Sequence, residues 1–228
     1  MVAMTKISSP RATGPRTAHY FNPHPPAALN SPATPQPSPS FQVRAAGHVL
    51  EFATGPGVFS RSALDEGSHL LLATAAQAGA ELAAAARLCD LGCGWGPVGC
   101  FLARLAPQAC ISLVDINRGA AQLARRNLSH NSLTNAHVWC GDGLSAICDA
   151  AYDAVFCNPP VRAGNLVIGQ LFDDAHRCLL PGGSLWVVLR TAQGAKSWAR
   201  RLHDSFGNCE TMAIEKGYRI LRSHKGGA

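Results

Sequence analysis

The sequence has no Cys-x-x-Cys motif and no group of cysteines and histidines at the spacing of zinc ligands. Its nine cysteines are odd in number and scattered, and most lie within apolar segments. These features argue against a zinc module or a disulfide framework. They favour reduced, buried thiols in a cytosolic protein, and we expect no metal site.

Long apolar runs are also missing. No stretch could span a membrane, and the amino-terminal segment lacks the apolar core of a secretion signal, so we predict a cytoplasmic protein without a membrane partner. Residues 1–40 hold nine of the fifteen prolines, which predicts a disordered, Pro-rich arm. The chain of 228 residues is 47% hydrophobic, enough for one good core, and we predict one domain over residues 41–228.

Acidic residues are scarce at both ends of the chain, and the net charge is +6. Residues 1–50 carry four Lys or Arg and no acid, and residues 196–225 carry seven against three acids. Two basic ends are compatible with a surface that faces RNA. The alternative is an ordinary solvated surface.

A glycine loop follows the first strong strand pattern. The apolar run Arg87–Leu91 leads into Gly92, Gly94 and Gly96, and a helical pattern comes next. Strand, glycine loop and helix form the first unit of a nucleotide-binding α/β sheet. Asp90 directly before the loop would repel a pyrophosphate. A ligand with a positive charge fits better, which disfavours NAD and favours S-adenosylmethionine.

Two further strands end in acids. The run from Ile111 ends at Asp115, about 20 residues past the loop, where an acid accepts hydrogen bonds from ribose hydroxyls. The alternative role is a helix N-cap. The strand over residues 136–140 is followed by Gly141 and Asp142, and that acid suits an adenine amino group or a plain loop.

An Asn-Pro-Pro corner follows the apolar run of residues 152–157. Prolines cannot continue a strand, because they lack the N–H group and fix φ. The chain therefore turns sharply and presents the Asn158 amide and nearby carbonyls as a rigid set of acceptors. Such a corner suits an exocyclic amino group that donates hydrogen bonds while it attacks an electrophile. The alternative is a turn that only ends the strand.

Together these motifs carry a family resemblance. In order and spacing, the chain resembles the class I S-adenosylmethionine-dependent methyltransferases, and within them the "methyltransferase small domain" family of bacterial rRNA guanine-N2 methyltransferases. The motifs are Asp90-Leu-Gly-Cys-Gly-Trp-Gly96, Asp115-Ile-Asn117, Gly141-Asp142, Asn158-Pro-Pro-Val-Arg-Ala-Gly164, Gly57-Val-Phe-Ser60, Asp65-Glu-Gly67 and Lys216-Gly-Tyr-Arg-Ile-Leu221. The resemblance covers roughly residues 41–224.

The alternation of strand and helix patterns, ending in a hairpin, predicts a mostly parallel sheet with one reversed edge strand. A further hairpin is predicted at residues 41–52. The resemblance implies the same architecture: an α/β, Rossmann-like class I methyltransferase fold with a seven-stranded sheet and helices on both faces.

The resemblance also implies site residues. The catalytic corner is Asn158, Pro159 and Pro160. The cofactor-binding residues are Asp90, Gly92, Cys93, Gly94, Gly96, Asp115, Ile116, Gly141, Asp142 and Asn158. Amino-methyltransferases of DNA usually carry an aromatic residue after the two prolines, whereas Val161 stands here, so adenine in DNA is less expected. Stacking on the target base must come from elsewhere, and the substrate-binding candidates are Phe59, Val161 and Arg162.

The implied function is methyl transfer from S-adenosylmethionine to an exocyclic amino nitrogen, foremost guanine N2 of ribosomal RNA, with rRNA or a ribosomal subunit as partner. One alternative is an N-methyltransferase that acts on adenine or a protein glutamine. Another is a non-catalytic RNA-binding or ribosome-assembly factor on the same scaffold. The nucleotide and the oligomeric state stay open.

Overall fold

The computed structural model describes residues 40–53 and 63–227, and the backbone alone of Val161. These residues fall within one compact unit that spans residues 34–228. Apart from Ser40, the predicted arm over residues 1–40 lies outside the described residues, and so does Phe59. A disordered arm over these residues and a substrate-binding role for Phe59 stay predictions.

Two strands form the amino-terminal hairpin, β1 (Ser40–Ala45) and β2 (His48–Ala53). The later strands are β3 (Arg87–Leu91), β4 (Cys110–Asp115), β5 (Ala136–Cys140), β6 (Tyr152–Cys157), β7 (Leu179–Arg190), β8 (Glu210–Glu215) and β9 (Tyr218–His224). The helices are α1 (Glu66–Gln77), α2 (Gly79–Ala84), α3 (Pro97–Leu105), α4 (Arg118–His130), α5 (Asn165–Cys178) and α6 (Ala195–Phe206).

The strands β3 to β9 form one sheet in the order β5-β4-β3-β6-β7-β9-β8. Strands β3 to β7 pair in parallel, and β9 runs antiparallel to both β7 and β8. The reversed strand β9 therefore lies between β7 and the outermost strand β8. This confirms the predicted mostly parallel seven-stranded sheet. The strand order reverses between β3 and β6, the switch point at which open α/β sheets bind ligands beyond the carboxyl ends of their strands.

Both faces of the sheet are covered, as predicted. One apolar cluster joins the hairpin and helices α1 to α4 to the sheet, and a second joins α5 and α6 to the opposite face. Alternate strand residues divide between them: Phe156 belongs to the first cluster, and Val155 and Cys157 belong to the second. This alternation turns the residue that follows Cys157 toward the α1 face.

Two asparagines, one in α4 and one at its carboxyl-terminal cap, hold the hairpin in place. Asn127 is fully buried, accepts a hydrogen bond from the Ala53 N–H at 2.9 Å, and donates to the carbonyls of Ala53 (3.3 Å) and Trp95 (2.8 Å). One helical turn later, Asn131 accepts from the Glu51 N–H at 3.0 Å and donates to the Glu51 carbonyl at 2.7 Å. The two amides thus pair the free edge of β2 as a third strand would.

Asn127→Ala should lower the free energy of unfolding by about 2–4 kcal/mol, because it removes three hydrogen bonds between the buried amide and the backbone of Ala53 and Trp95. Asn131→Ala is the matched control. Its site is half-buried, so water can replace the lost amide, and we expect a loss of only about 1 kcal/mol. Urea unfolding followed by circular dichroism measures both. Equal, small losses would show that the buried amide does not anchor the hairpin.

Across the described part of the chain, no helix combines the length and the apolar character needed to cross a lipid bilayer.

Candidate active site

The glycine loop leaves open space above the end of β3. The N–H groups of Gly92 and Cys93 both donate to the Val114 carbonyl at 2.9 Å, which fixes the loop against β4. Gly92 and Gly94 have positive φ values of 76° and 57°, a region that favours glycine. A Cβ on either would meet no described atom within 4 Å. The backbone here can therefore be approached closely by a ligand.

Two other residues of the loop, Gly96 and Cys93, face the protein core and not that space. A Cβ on Gly96 would lie 2.9 Å from the Ala124 Cβ, so packing of the loop against α4 requires glycine there. The Cys93 side chain is buried in the core, and this burial raises the pKa of its thiol, with the nearby Asp90 and Asp115 raising it further. Both residues were predicted to bind the cofactor. Because the Cys93 side chain is buried, this residue can contact a ligand only through its backbone.

Asp90 is a buried carboxylate beneath the glycine loop, 3% exposed. Its Oδ2 accepts a hydrogen bond from the Gly99 N–H at 2.7 Å. Loss of solvation raises the pKa of Asp90 to about 7; the Gly99 bond acts against this rise and the nearby Asp115 adds to it. No Lys or Arg within residues 40–53 and 63–227 forms an ion pair with this carboxylate. The positive charge of a cationic ligand would stabilise the ionised form of this buried carboxylate.

Asp115 lies at the end of β4 with its carboxylate already oriented. Its Oδ2 accepts from the Gly94 N–H and its Oδ1 accepts from the Asn117 N–H, both at 2.8 Å. Burial raises the pKa of Asp115, and these two hydrogen bonds lower it in part. Each oxygen retains acceptor capacity, which suits a pair of neighbouring hydroxyls. The N-cap of α4 is Asn117, so Asp115 does not fill the alternative role that the sequence left open.

An exposed apolar side chain follows β4, and an exposed acid follows soon after the neighbouring strand β5. Ile116 is 46% exposed, although it follows directly on a buried strand. The Gly141 N–H donates to the Asp115 carbonyl at 3.0 Å, which continues the pairing of the two strands past Cys140. Asp142 follows and is exposed, and its carbonyl accepts from the Ser145 hydroxyl at 2.8 Å. An apolar surface beside a carboxylate fits a purine that has an amino group.

Asn158 is held in one orientation by the start of α1. Its Nδ2 donates to the Ser68 Oγ at 2.9 Å and to the Asp65 carboxylate at 3.2 and 3.4 Å. A carboxylate can only accept, so the amide nitrogen must face Asp65. The Asn158 Oδ1 therefore faces away from Asp65, and no donor among the described residues is bonded to it. Asp65 is also the N-cap of α1, because its Oδ1 accepts from the Ser68 N–H at 3.0 Å.

A second acceptor comes from the Asn-Pro-Pro corner. After β6 the backbone forms a 3-10 turn over Val161–Ala163. The Pro160 carbonyl accepts from the Ala163 N–H at 2.8 Å. No donor among the residues that the structure describes is bonded to the Pro159 carbonyl. Arg162 is exposed on the same turn.

The parallel strands bring most of the predicted site residues to one edge of the sheet. Asp90, Asp115 and Asn158 follow or end neighbouring strands, and the Cα partners Leu91 and Cys157 place the glycine loop beside the corner. Asp65 and Ser68 are site residues that the sequence did not predict, although Asp65-Glu-Gly67 was one of the motifs that carried the resemblance. In the described ranges, no three His, Cys, Asp or Glu side chains come together as metal ligands would.

A family model, curated proteins and solved structures show what this chain is similar to. The family model "Methyltransferase small domain" matches residues 49–222. "Uncharacterized protein YbxB" of Bacillus subtilis (strain 168) is 30% identical over 208 residues, which are 91% of this chain and 98% of that protein. "Ribosomal RNA large subunit methyltransferase G" of Streptomyces avermitilis is 36% identical over 174 residues, 74% of this chain and 44% of the relative.

Among solved structures, the chain is similar to the T. thermophilus 16S rRNA N2 G1207 methyltransferase RsmC in complex with AdoMet and guanosine. The TM-score is 0.73 and the identity 27%, over 85% of this chain and 52% of that one. The chain thus spans nearly all of the Bacillus protein but only about half the length of the rRNA methyltransferases that it matches.

Proposed function

Because this chain belongs to the methyltransferase small domain family, we propose that it transfers a methyl group from S-adenosylmethionine to the N2 amino group of a guanine in ribosomal RNA. One observation carries the proposal. The hydrogen bonds from Asn158 to Asp65 and Ser68 leave its side-chain carbonyl facing outward at the carboxyl end of β6. That is the group an exocyclic amine needs as a partner.

The residues at the strand ends fit the methyl donor. Open space above Gly92 and Gly94 admits its methionine part, and the buried, uncompensated Asp90 suits its ammonium group. Asp115 would hold the ribose hydroxyls, with Ile116 and Asp142 at the adenine. When bound, S-adenosylmethionine supplies a methyl group on a positively charged sulfur, an electrophile that needs no further activation.

The corner residues then hold the nucleophile. An exocyclic amine has two N–H groups, and Asn158 Oδ1 and the Pro159 carbonyl provide two acceptors for them. Both hydrogen bonds draw the N–H groups toward the corner and turn the nitrogen lone pair away from it. Such orientation can contribute roughly 7–11 kcal/mol to lowering the barrier. No strong base is required, because the amine can release its proton after the methyl group has been transferred. The Asp65 carboxylate is not assigned the role of a base, because it accepts a hydrogen bond from Asn158.

The choice of guanine in rRNA rests on the relatives. One carries an rRNA large subunit methyltransferase name, and the other is a 16S rRNA N2 methyltransferase crystallised with AdoMet and guanosine. This chain covers only about half of each, so the substrate belongs to the proposal. A target base within rRNA must leave its stack, which costs a few kcal/mol, less where it is already unpaired.

Mass mapping of rRNA nucleosides tests the proposal. Large- and small-subunit rRNA from a strain that lacks this protein should miss one N2-methylguanosine. Incubation with purified protein and S-adenosylmethionine should restore it. The gain of N6-methyladenosine or of a methylated protein glutamine would favour the alternative N-methyltransferases. Cofactor binding without transfer to any of these would contradict the proposal.

A further inference from the structure

Several cations lie at the same end of the sheet as Asn158. The Cα partners Cys157 and Val187 align β6 with β7, which ends three residues later at Arg190. Arg190 is in turn the partner of Tyr218, the first residue of the antiparallel β9. The carboxyl ends of β6 and β7 and the amino end of β9 therefore meet at one rim, beside the catalytic corner.

Arg190 is the cation of this rim that the structure orients best. Its guanidinium lies 4.6 Å from the centroid of the Tyr218 ring. That ring packs against the start of α1 so closely that a Cβ on Gly67 would lie 2.9 Å from it and 3.1 Å from Asp65 Oδ1. Asp65 is the residue that orients Asn158. A stacked guanidinium keeps its N–H donors free at its edge.

Three more cations lie at this end of the sheet. Arg162 follows the Asn-Pro-Pro corner, Lys196 lies in the first turn of α6, and both are exposed. Arg219 lies next to Tyr218 and donates through Nε to the Thr191 hydroxyl at 3.2 Å. No ion pair joins any of these four to an acid in the part of the chain that the structure covers. We call Arg162, Arg190, Lys196 and Arg219 the cationic rim.

Three cations at the opposite end of the sheet are engaged by other groups of the protein. Arg177 pairs with Asp149 at 2.8 Å, and Arg222 pairs with Glu81. Lys225 donates to the carbonyls of Arg177 (3.1 Å) and Leu179 (2.8 Å). The basic stretch of residues 196–225 is therefore divided by the fold, and only part of it faces the catalytic end.

We propose that the cationic rim binds the phosphates of a single RNA strand on either side of the target nucleotide. The inference rests on the proposed function, in that it assigns the surface that grips the RNA while Asn158 holds the base. Guanidinium groups bind phosphate oxygens in pairs. Phosphate contacts fix the register of a nucleic acid without reading its sequence. A rim beside the corner would hold the strand while one base enters the site.

The test uses Arg190→Ala, Lys196→Ala and the double variant, with Arg87→Ala as a matched control. Arg87 is exposed at the amino end of β3, and thus at the end of the sheet opposite the cationic rim. Binding of a labelled single-stranded RNA oligonucleotide is measured over about 50–200 mM salt. The kcat and KM on rRNA from the deletion strain and the affinity for S-adenosylmethionine complete the set.

We expect the double variant to raise KM about tenfold while kcat and cofactor affinity stay within about twofold. Loss of two phosphate contacts should make the slope of log affinity against log salt shallower by about 1.4. Arg87→Ala should match the wild type. Arg190→Lys keeps the charge and should keep the slope.

Three results would contradict the proposal that the cationic rim binds RNA phosphates. The variants could match Arg87→Ala in RNA affinity and salt slope. They could lower kcat alone, so that the effect lies in the chemistry. They could lose activity only on assembled subunits while binding of the RNA oligonucleotide is unchanged, which would assign the rim to a ribosomal protein. The binding assay needs no methyl transfer, so a failure of the proposed function leaves its outcome readable.

Discussion

Asn158→Ala should lower the rate of methyl transfer by at least about 100-fold, the scale of losing one oriented hydrogen-bonding group at a reacting centre. The alanine removes the acceptor that holds the amine but leaves Asp90, the glycine loop and Asp115 in place. The affinity for S-adenosylmethionine should therefore stay within about tenfold, or roughly 1.4 kcal/mol. Single-turnover transfer to rRNA measures the first quantity, and calorimetric titration measures the second.

Companion variants at Asp65 test whether orientation of the amide is what matters. Asp65→Ser keeps a good N-cap for α1, but its side chain is too short to hold Asn158. We expect kcat to fall about 10–100-fold with an unchanged melting temperature. In Asp65→Asn, the side-chain oxygen can both cap α1 and accept a hydrogen bond from Asn158. This variant should therefore retain most of the wild-type activity. Full activity of Asn158→Ala, or equal activity of Asp65→Ser and Asp65→Asn, would remove the corner from the mechanism.

The parallel core could be predicted because each element rests on neighbouring residues. The sequence pattern predicts a helix from Asp65 to Ala78, and the structure has α1 (Glu66–Gln77), since Asp65 caps it and Leu70–Leu72 supply its buried side. Boundaries were less accurate near Pro181. The sequence pattern predicts a strand that starts at Ser184, after the turn signal Pro181-Gly182-Gly183, whereas β7 begins at Leu179. The Gly182 N–H and the Gly183 carbonyl bond with Lys225, so the turn-like residues are drawn into the sheet.

The contacts that complete the site could not be predicted in this way. Asn158 and Asp65 are 93 residues apart, and Asn127 and Ala53 are 74 apart. Each is a common residue in an unremarkable local setting, and its role depends on the path of the whole chain. The same holds for the basic carboxyl-terminal stretch, whose charges the sequence could count but not divide between the two ends of the sheet. Local patterns fix elements, and long-range hydrogen bonds between side chains and backbone fix the site.

Asp90→Asn should stabilise the free protein and yet weaken its binding of S-adenosylmethionine. Burial raises the pKa of Asp90 from 3.8 to about 7. The carboxyl group therefore binds its proton more tightly in the folded protein than in the unfolded chain. The contribution of Asp90 to stability therefore falls as pH rises between these two values and stays low above them. A shift of this size corresponds to about 4 kcal/mol at most. We expect Asp90→Asn to gain about 2 kcal/mol near pH 8 and almost nothing near pH 4.

The same change should weaken cofactor binding by about 10–150-fold, because a charge-assisted hydrogen bond to the ammonium is worth about 1.5–3 kcal/mol and the neutral amide leaves that cation poorly compensated. Thermal unfolding at the two pH values and calorimetric titration check the two halves. Asp142→Asn is the control, since this exposed acid should affect binding without affecting stability. A less stable Asp90→Asn protein with unchanged affinity would show that the carboxylate serves the fold. The expected result shows the reverse: a buried charge kept at a cost to the fold because a cationic ligand completes it.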